Sequence, residues 1–282
     1  MNLIEAIVLG VIQGLTELLP VSSTGHLTLA GKLMNLISDK NPEQWTAFIA
    51  VIQLGTMFAI LIYFWKDLLN IITEFFHDNL QSRKKFSEQS PNSRMGWLII
   101  IGTIPVVIIG LSLKNVIEGA LTKNLYVIAG SLIVLAIILA IAEKTAKFKK
   151  DINDITVFDS VIIGIAQAFA LIPGSSRSGT TITGGLFVGL KRDVAARFSF
   201  LLSIPAVFAS GMLELYQSLK FLTADMTINL IVSTIVSGIF GYLAIDFLLK
   251  FLKKNTTFVF IFYRILLGLI ILIMLYTNII NP

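Results

Sequence analysis

Cysteine is absent from the 282 residues of this chain, and charged residues make up only 14% of it. Without cysteine, the chain has no disulfide framework and no thiolate chemistry. Soluble domains carry about 25% charged residues, whereas 55% of the residues here are hydrophobic. The composition therefore excludes an ordinary soluble domain and predicts a polytopic membrane protein. The net charge of +5 does not require a nucleic-acid partner, because basic residues collect in the cytoplasmic loops of membrane proteins.

Six apolar stretches are long enough to cross a bilayer, which takes roughly 17–25 residues of helix. Two further regions, 1–45 and 155–197, are apolar but are interrupted by proline, glycine and serine. We therefore predict a single all-α membrane domain over residues 1–282, with six transmembrane helices and two broken segments. The six predicted spans are Thr46–Trp65, Gly96–Leu113, Leu125–Ala142, Phe198–Tyr216, Ile228–Leu249 and Phe258–Asn278.

Lysine and arginine alternate between rich and poor loops along the chain. The rich loops are expected on the cytoplasmic side. Region 155–197 then leaves the cytoplasmic side and returns to it, which predicts a re-entrant helical hairpin. Region 1–45 is expected to re-enter from the opposite face, so that the two hairpins can meet inside the membrane. The rich loops are 66–95, 143–154 and 250–257, and the poor loops contain Lys114, Lys123 and Lys220.

The two halves of the chain resemble each other. When their Pro-x-Ser-Ser motifs are aligned with one gap, Gln13 falls on Gln167. Each half has one hairpin followed by three spans, and because three is odd the second copy is inverted in the membrane. We therefore predict an inverted-topology repeat of about 1–150 and 151–282, with a site where the repeats meet.

Gln13 and Glu17 are four residues apart, so that on a helix they share one face. A charge at bilayer depth costs roughly 2.5–3.5 kcal/mol, which makes Glu17 a functional candidate. A carboxylate beside a second oxygen donor suits a hard cation such as Mg²⁺ or Ca²⁺. Two simpler interpretations remain open, namely a helix-terminal glutamate near the interface and a structural ion pair with Arg177.

Ser22, Ser23 and His26 follow Pro20, which ends the first arm of the hairpin. His26 stands three residues after Ser23, so one helical turn is expected to bring their side chains together. A serine beside a histidine is a pairing of nucleophile and general base. The alternative is that the serines only cap a helix.

Arg177 lies in the second Pro-x-Ser-Ser region and is surrounded by hydroxyl side chains. Open backbone N–H groups at a helix start bind anions, and a guanidinium group matches phosphate oxygens. Together with the first region, these residues predict a phosphate-bearing amphiphile, a hard cation and a hydroxyl nucleophile inside a membrane. The candidate phosphate-binding residues are Ser22, Ser175, Ser176, Arg177, Ser178 and Thr181.

The segments 13–26 (Gln-Gly-Leu-Thr-Glu-Leu-Leu-Pro-Val-Ser-Ser-Thr-Gly-His) and 173–181 (Pro-Gly-Ser-Ser-Arg-Ser-Gly-Thr-Thr) resemble the signature motifs of bacterial undecaprenyl-diphosphate phosphatases of the bacitracin-resistance type. The resemblance implies that one phosphate is removed from the lipid diphosphate, which regenerates the carrier for peptidoglycan synthesis. It also implies the bacterial cytoplasmic membrane, a divalent cation and a site open to the outer side. The expected partners are the polyisoprenyl diphosphate and the membrane; nucleic acid is not expected, and a homodimer is left open.

The resemblance also implies roles for individual residues. Many members have glutamate where this chain has Gln13, and because an amide cannot act as a base, base or metal work is expected of Glu17. By motif position, Gln13 and Glu17 are the metal pair, Ser23 and His26 the nucleophile and its partner, and Ser176, Arg177 and Thr181 the diphosphate-binding loop.

Other mechanisms and functions fit parts of this pattern. Water can attack the phosphorus directly, with Ser23 only orienting it. A lipid-phosphate transporter or flippase also has inverted repeats with broken helices. A lipid phosphatase that uses two histidines is excluded, because no histidine follows Arg177 in the chain.

Overall fold

The computed structural model describes residues 1–37, 42–113, 124–218 and 224–280. Over these ranges the chain is helical apart from its turns and one isolated parallel bridge between Lys150 and Leu190. Lys114, Lys123 and Lys220, which were used to orient the spans, lie outside the described residues. The helices are α1 (Leu3–Leu18), α2 (Ser23–Leu33), α3 (Pro42–Tyr63), α4 (Trp65–Phe76), α5 (Pro91–Ser112), α6 (Leu125–Thr145), α7 (Val157–Ala168), α8 (Arg177–Phe187), α9 (Arg192–Ser218), α10 (Ala224–Leu252) and α11 (Phe258–Tyr276).

Within the described ranges, six helices are long and apolar enough to cross a membrane. Each overlaps one of the six stretches predicted from the sequence, so the prediction of an all-α multi-pass membrane protein is confirmed. The candidate spans are Trp45–Tyr63, Pro91–Ser112, Leu125–Thr145, Arg192–Leu213, Met226–Leu252 and Phe258–Tyr276.

The two broken regions fold alike, each as two short helices joined by a turn. Ser22 (φ 73°, ψ 97°) and Ser176 (φ 68°, ψ 105°) have nearly the same backbone angles and cap α2 and α8 respectively. Each serine hydroxyl accepts a hydrogen bond from the backbone N–H three residues later, at Gly25 and Gly179. These matching turns are what the repeat predicts. The inversion of the repeat and the re-entry of both hairpins stay predictions.

Each broken arm packs against a long helix from the other half of the chain. On α1, a Cβ at Gly10 would lie 2.6 Å from the carbonyl oxygen of Ser233 on α10, so only glycine permits this approach. On α7, Gly164 packs in the same way against the backbone of Gly102 on α5. A serine hydroxyl adds a hydrogen bond to each of these helix–helix contacts. Ser233 donates to the Ala6 carbonyl at 2.7 Å, and Ser160 donates to the Leu98 carbonyl at 2.6 Å. This exchange of arms brings the two turns together.

Candidate active site

The turns that follow α1 and α7 are joined by hydrogen bonds. Arg177 Nη2 donates to Glu17 Oε1 at 2.8 Å across 160 positions of sequence. Ser178 Oγ donates to the carbonyl oxygen of Leu19 at 2.8 Å. The structure therefore brings the two motifs into one site, where the guanidinium group of Arg177 from the second half of the chain pairs with the carboxylate of Glu17 from the first half.

Glu17 is the centre of this site and is 7% exposed. Its Oε2 accepts from the Ser23 hydroxyl at 2.5 Å and from Gln13 Nε2 at 3.2 Å. Its other oxygen accepts from Arg177. The expected ion pair with Arg177 is present, but it is only one of three hydrogen bonds. A carboxylate in contact with a serine hydroxyl can take that hydroxyl's proton, which is how a serine nucleophile is activated.

The expected contact between Ser23 and His26 is not formed. Ser23 is the first residue of α2 and turns back toward α1, where it binds Glu17. His26 instead holds the carbonyl oxygen of Ser22 at 2.7 Å and the hydroxyl of Tyr263, on α11, at 2.6 Å. Since a carbonyl can only accept, Nδ1 carries a proton, and when the ring is neutral Nε2 accepts from the Tyr263 hydroxyl. In this structure His26 holds the first turn, and its catalytic role stays a prediction.

Two residues expected to bind phosphate make hydrogen bonds within the protein instead. Ser178 is used to join the turns, as described above. Thr181 is fully buried, and its hydroxyl is shared between Ser199 Oγ on α9, at 2.5 Å, and the carbonyl oxygen of Arg177, at 2.7 Å. Ser178 therefore ties the second turn to the first, and Thr181 ties the start of α8 to α9. Neither residue is among those that line the cavity, and direct contact of Ser178 and Thr181 with phosphate stays a prediction.

A cavity with a volume of about 500 Å³ lies between the two turns, α5 and α9. Most of its polar lining comes from the turns and the ends of α1 and α7, with Gln53 contributed by α3, and most of its apolar lining comes from the C-terminal halves of α5 and α9. Some of the apolar side chains are also open to the surroundings, with Leu111 73% and Leu213 50% exposed. Such a cavity suits a ligand with a polar head and a hydrocarbon chain. The polar lining includes Glu17, Ser22, Ser23, Gln53, Gln167, Ser175, Ser176 and Arg177, and the apolar lining includes Val106, Val107, Leu111, Val207 and Leu213.

Both turns hold a serine in a strained backbone conformation. Ser22 and Ser176 have positive φ angles that side chains other than glycine rarely adopt. Strain of this kind costs about 1–3 kcal/mol and is kept where the surroundings enforce it, often at functional sites. On the second turn, Ser131 Oγ donates to the carbonyl oxygen of Pro173 and Arg264 Nη2 donates to that of Ser175 at 2.8 Å.

Arg264 was not predicted from the sequence. It is fully buried in α11, and its Nε and Nη1 atoms have no hydrogen-bond partner among the residues that the structure describes. The available signal was a charge within a 19-residue apolar helix, since charges at membrane depth are functional candidates. Tyr263 and Gln167 were likewise given no role, although Gln167 was recognised as the counterpart of Gln13.

The oxygen atoms around Glu17 fit a hard divalent cation. Over the described ranges, no cluster of three or more His, Cys, Asp or Glu residues can hold a metal ion. The site does offer the Glu17 carboxylate and the neighbouring Gln13 Oε1, which is buried and has no partner among the described residues. A cation that takes its remaining ligands from water and phosphate, as Mg²⁺ commonly does, needs no larger protein cluster.

Comparisons with known proteins cover nearly the whole chain. A family model described as "Bacitracin resistance protein BacA" matches residues 6–270. A protein from Syntrophobacter fumaroxidans named "Undecaprenyl-diphosphatase" is 54% identical over 268 residues, which are 95% of each chain. Proteins of the same name from Chloroherpeton thalassium and Chlorobaculum tepidum are 50% identical over 284 residues and 48% identical over 291 residues. They cover 98% and 100% of this chain, and 97% and 100% of their own lengths.

Proposed function

The chain belongs to the bacitracin resistance protein BacA family, and from this premise we propose that it is an undecaprenyl-diphosphatase with its active site in the cavity between the two turns. It hydrolyses undecaprenyl diphosphate to undecaprenyl phosphate and inorganic phosphate, and so recycles the lipid carrier for peptidoglycan synthesis. The observation that carries the site assignment is the buried Glu17 carboxylate, which binds a serine hydroxyl and an arginine from the other half of the chain.

The second turn binds the diphosphate. Arg177 donates one N–H group to Glu17, and its Nη1 atom has no partner among the described residues, so it is available to a phosphate oxygen. The Ser175 hydroxyl, which is buried at the cavity wall, has no described partner either. The hydrocarbon chain of the substrate lies along the apolar side chains of α5 and α9. Ser178 and Thr181 hold the second turn in place, and His26 holds the first.

Ser23 is the nucleophile and Glu17 is its general base. As Ser23 Oγ bonds to the terminal phosphorus, its proton passes to Glu17 Oε2. These two oxygen atoms are already hydrogen-bonded, at a distance of 2.5 Å. The bond from that phosphorus to the bridging oxygen breaks, and the lipid monophosphate leaves. Arg177 stabilises the charge that develops on the phosphoryl oxygens. A water molecule then attacks the phosphorus of the phosphoserine, and the bond from that phosphorus to Ser23 Oγ breaks. Glu17 returns its proton to Ser23 Oγ, and inorganic phosphate leaves.

A divalent cation, Mg²⁺ or Ca²⁺, would be held by Glu17 and Gln13 together with substrate oxygens, and when bound it would offset the charge of the diphosphate. Gln13 would take part through its carbonyl oxygen, since its Nε2 is directed to Glu17. Excess EDTA is therefore expected to abolish phosphate release, and Mg²⁺ or Ca²⁺ to restore it.

The test is phosphate release from undecaprenyl diphosphate by the purified protein in detergent. Transport has no meaning in detergent, so release separates a phosphatase from a lipid carrier. Parent protein and the control variant Glu88→Gln, which changes an exposed glutamate, are expected to release phosphate equally. Glu17→Gln is expected to be inactive within the assay. Failure of the folded parent to release phosphate with either cation would overturn the proposal.

We place the protein in the bacterial cytoplasmic membrane, with the cavity in its outer half. The cavity is lined by the C-terminal halves of α5 and α9, including Val107 and Leu213. Both helices begin beside basic segments, residues 66–95 and Lys191–Arg197, which are expected in the cytoplasm. Their C-terminal halves are therefore nearer the outer surface. This placement supports substrate entry from the outer leaflet.

A further inference from the structure

Gln167, near the end of α7, has a buried amide whose two polar atoms are both unsatisfied. The residue is 1% exposed. Its Nε2 and Oε1 have no hydrogen-bond partner within the described part of the chain, and the residue is one of those that line the cavity. Most buried polar side chains in proteins are hydrogen-bonded, and an unsatisfied one is costly. A ligand in the cavity that hydrogen-bonds to this buried amide would remove the cost of leaving it unsatisfied.

The first half of the chain shows what the second half lacks. Gln13, the counterpart of Gln167, donates its Nε2 to the carboxylate of Glu17, four residues later. Four residues after Gln167 stands Leu171, whose apolar side chain cannot accept a hydrogen bond. The second half therefore has the amide without the carboxylate that satisfies it in the first half. Its amide is free to bind a group that enters the cavity.

The neighbours of Gln167 in the cavity lining indicate which group enters. Ser175 is also 1% exposed, and its hydroxyl has no partner among the described residues. Arg177 has a buried Nη1 atom in the same condition. Three unsatisfied donors around one cavity require a ligand with several acceptors, which an apolar chain does not have. An ionised diphosphate has many acceptors and no donors, and one of the three groups, the guanidinium, carries a compensating positive charge.

We propose that Gln167 is a substrate-binding residue, and that its Nε2 atom donates a hydrogen bond to a phosphate oxygen of the lipid diphosphate. This inference rests on the proposed function, because it takes the diphosphate as the ligand of the cavity. The amide end must be the donor, since an ionised phosphate oxygen accepts only. The carbonyl end of Gln167 accepts from water, which needs polar partners of this kind at a buried position.

The test measures binding apart from turnover. The Ser23→Ala protein removes the proposed nucleophile, so that farnesyl diphosphate, a short isoprenyl diphosphate, can be titrated with Mg²⁺ at equilibrium in detergent. Adding Gln167→Met removes both polar ends of the amide at similar length. The dissociation constant is expected to rise about tenfold or more, the scale of losing a hydrogen bond to a charged group. The melting temperature without ligand is expected to stay the same or rise, because Gln167 makes no described hydrogen bond to lose.

Two further variants sharpen the result. Ser210→Ala is the matched control, because Ser210 also lines the cavity but its hydroxyl already donates to the Val207 carbonyl at 3.3 Å. The double variant Ser23→Ala with Ser210→Ala is expected to have the same dissociation constant as Ser23→Ala alone. Gln167→Glu keeps the acceptor, loses the donor and adds a negative charge, so it is expected to bind more weakly than Gln167→Met.

Each outcome has a distinct meaning. Equal binding by Gln167→Met and the Ser23→Ala background overturns this inference and leaves the phosphatase proposal standing. Binding by Gln167→Glu as tight as that of the background overturns the assignment of the amide as a donor. If the parent neither releases phosphate nor binds farnesyl diphosphate, the proposed function fails and this inference fails with it. In the otherwise unaltered enzyme, Gln167→Met is expected to raise KM for phosphate release.

Discussion

Glu17 accepts the Ser23 hydroxyl at an oxygen–oxygen distance of 2.5 Å, whereas His26 is bound to the Ser22 carbonyl and to Tyr263. The sequence offered both Glu17 and His26 as groups that activate Ser23. The geometry favours Glu17, because the serine proton already points to it. His26 is bound instead to the backbone of the first turn, at the Ser22 carbonyl.

The two candidate bases are distinguished by matched amide substitutions. Glu17→Gln is expected to lower the rate of phosphate release at least about 100-fold, the scale of a lost general base, and His26→Gln by about tenfold or less. Single-turnover phosphate release in detergent measures both. A larger loss for His26→Gln than for Glu17→Gln would contradict the assignment. Rapid quenching is also expected to trap phosphoserine at Ser23, and Ser23→Ala with a nearly parental rate would rule out the covalent route.

Arg177 is expected to be essential for the chemical step. Its guanidinium group is partly buried, and its Nη1 atom has no hydrogen-bond partner among the residues that the structure describes, so Arg177→Ala removes a donor available to the phosphate. The expected loss of rate is at least about 100-fold, as for other donors that act in the transition state. Arg197→Ala is the control, because that arginine pairs with Asp67 away from the cavity and is 41% exposed. A tenfold or smaller loss for Arg177→Ala would count against its role.

Hydropathy located the spans correctly because each is long, apolar and flanked by polar loops. The Pro-x-Ser-Ser motifs located both turns, since proline ends one arm and serine caps the next. The expected hydrogen bond between Ser23 and His26 is not formed, for a local reason. The spacing between Ser23 and His26 assumes that both side chains project from a helix, but Ser23 begins α2 and faces back toward α1.

Long-range contacts account for what the sequence did not reveal. Thr181 lies in the motif, yet its side chain is directed to Ser199 by the packing of α8 on α9. Arg264 reaches the Ser175 carbonyl across 89 positions, and no local pattern predicts that distance. Its charge in an apolar helix indicates a functional role, but it does not indicate that Arg264 contacts the second turn. Gln167 was visible only through its alignment with Gln13.

Gly179 is expected to be irreplaceable even by alanine. A Cβ there would lie 2.5 Å from Arg264 Nη1 and 3.2 Å from Ser176, so Gly179→Ala would push the arginine or the second turn aside. We expect a loss of phosphate release with the protein still folded. Gly130→Ala is the control, because a Cβ at Gly130 meets nothing within 4 Å and alanine favours a helix by up to about 1 kcal/mol. Equal activity of the two variants would show that the second turn tolerates displacement.

Asp78, in the loop between α4 and α5, gives a prediction about acid stability. Its buried carboxylate accepts from Lys84 at 2.8 Å and from the Ser90 backbone N–H at 2.8 Å, and these bonds hold its pKa well below the usual range. A depressed pKa in the folded protein contributes stability that is present above the unfolded value of about 4 and is lost as the pH falls below it. Asp78→Asn is therefore expected to lower the melting temperature in detergent at pH 7.

The difference in melting temperature between parent and Asp78→Asn is expected to shrink as the pH falls below about 4. The carboxyl group is then protonated in the unfolded chain, and at still lower pH in the folded parent, so the stabilisation by the charge is lost. Thermal unfolding over a series of pH values measures this. Glu88→Gln, at an exposed position in the same loop, is expected to show no such trend. A difference that stays constant down to strongly acid pH would mean that the charge of Asp78 does not stabilise the loop.

The absence of cysteine makes the predicted topology directly measurable. Single cysteines can be placed without removing any native one, and a membrane-impermeant maleimide labels only those outside an intact bacterial cell. Asn153→Cys and Lys191→Cys bracket the second hairpin and are expected to be labelled only after permeabilisation. Ile4→Cys and Asn278→Cys, at exposed positions near the two ends of the chain, are expected to be labelled in intact cells.

The pair that brackets the hairpin decides whether that region is re-entrant. Six crossings and a hairpin that returns to its own side put residues 153 and 191 on the same face of the membrane, as the basic loops indicate. Labelling of one and protection of the other would mean that the region crosses, and α7 and α8 would then be a seventh span. The second half would no longer be an inverted copy of the first, and the agreement between Ser22 and Ser176 would need another origin.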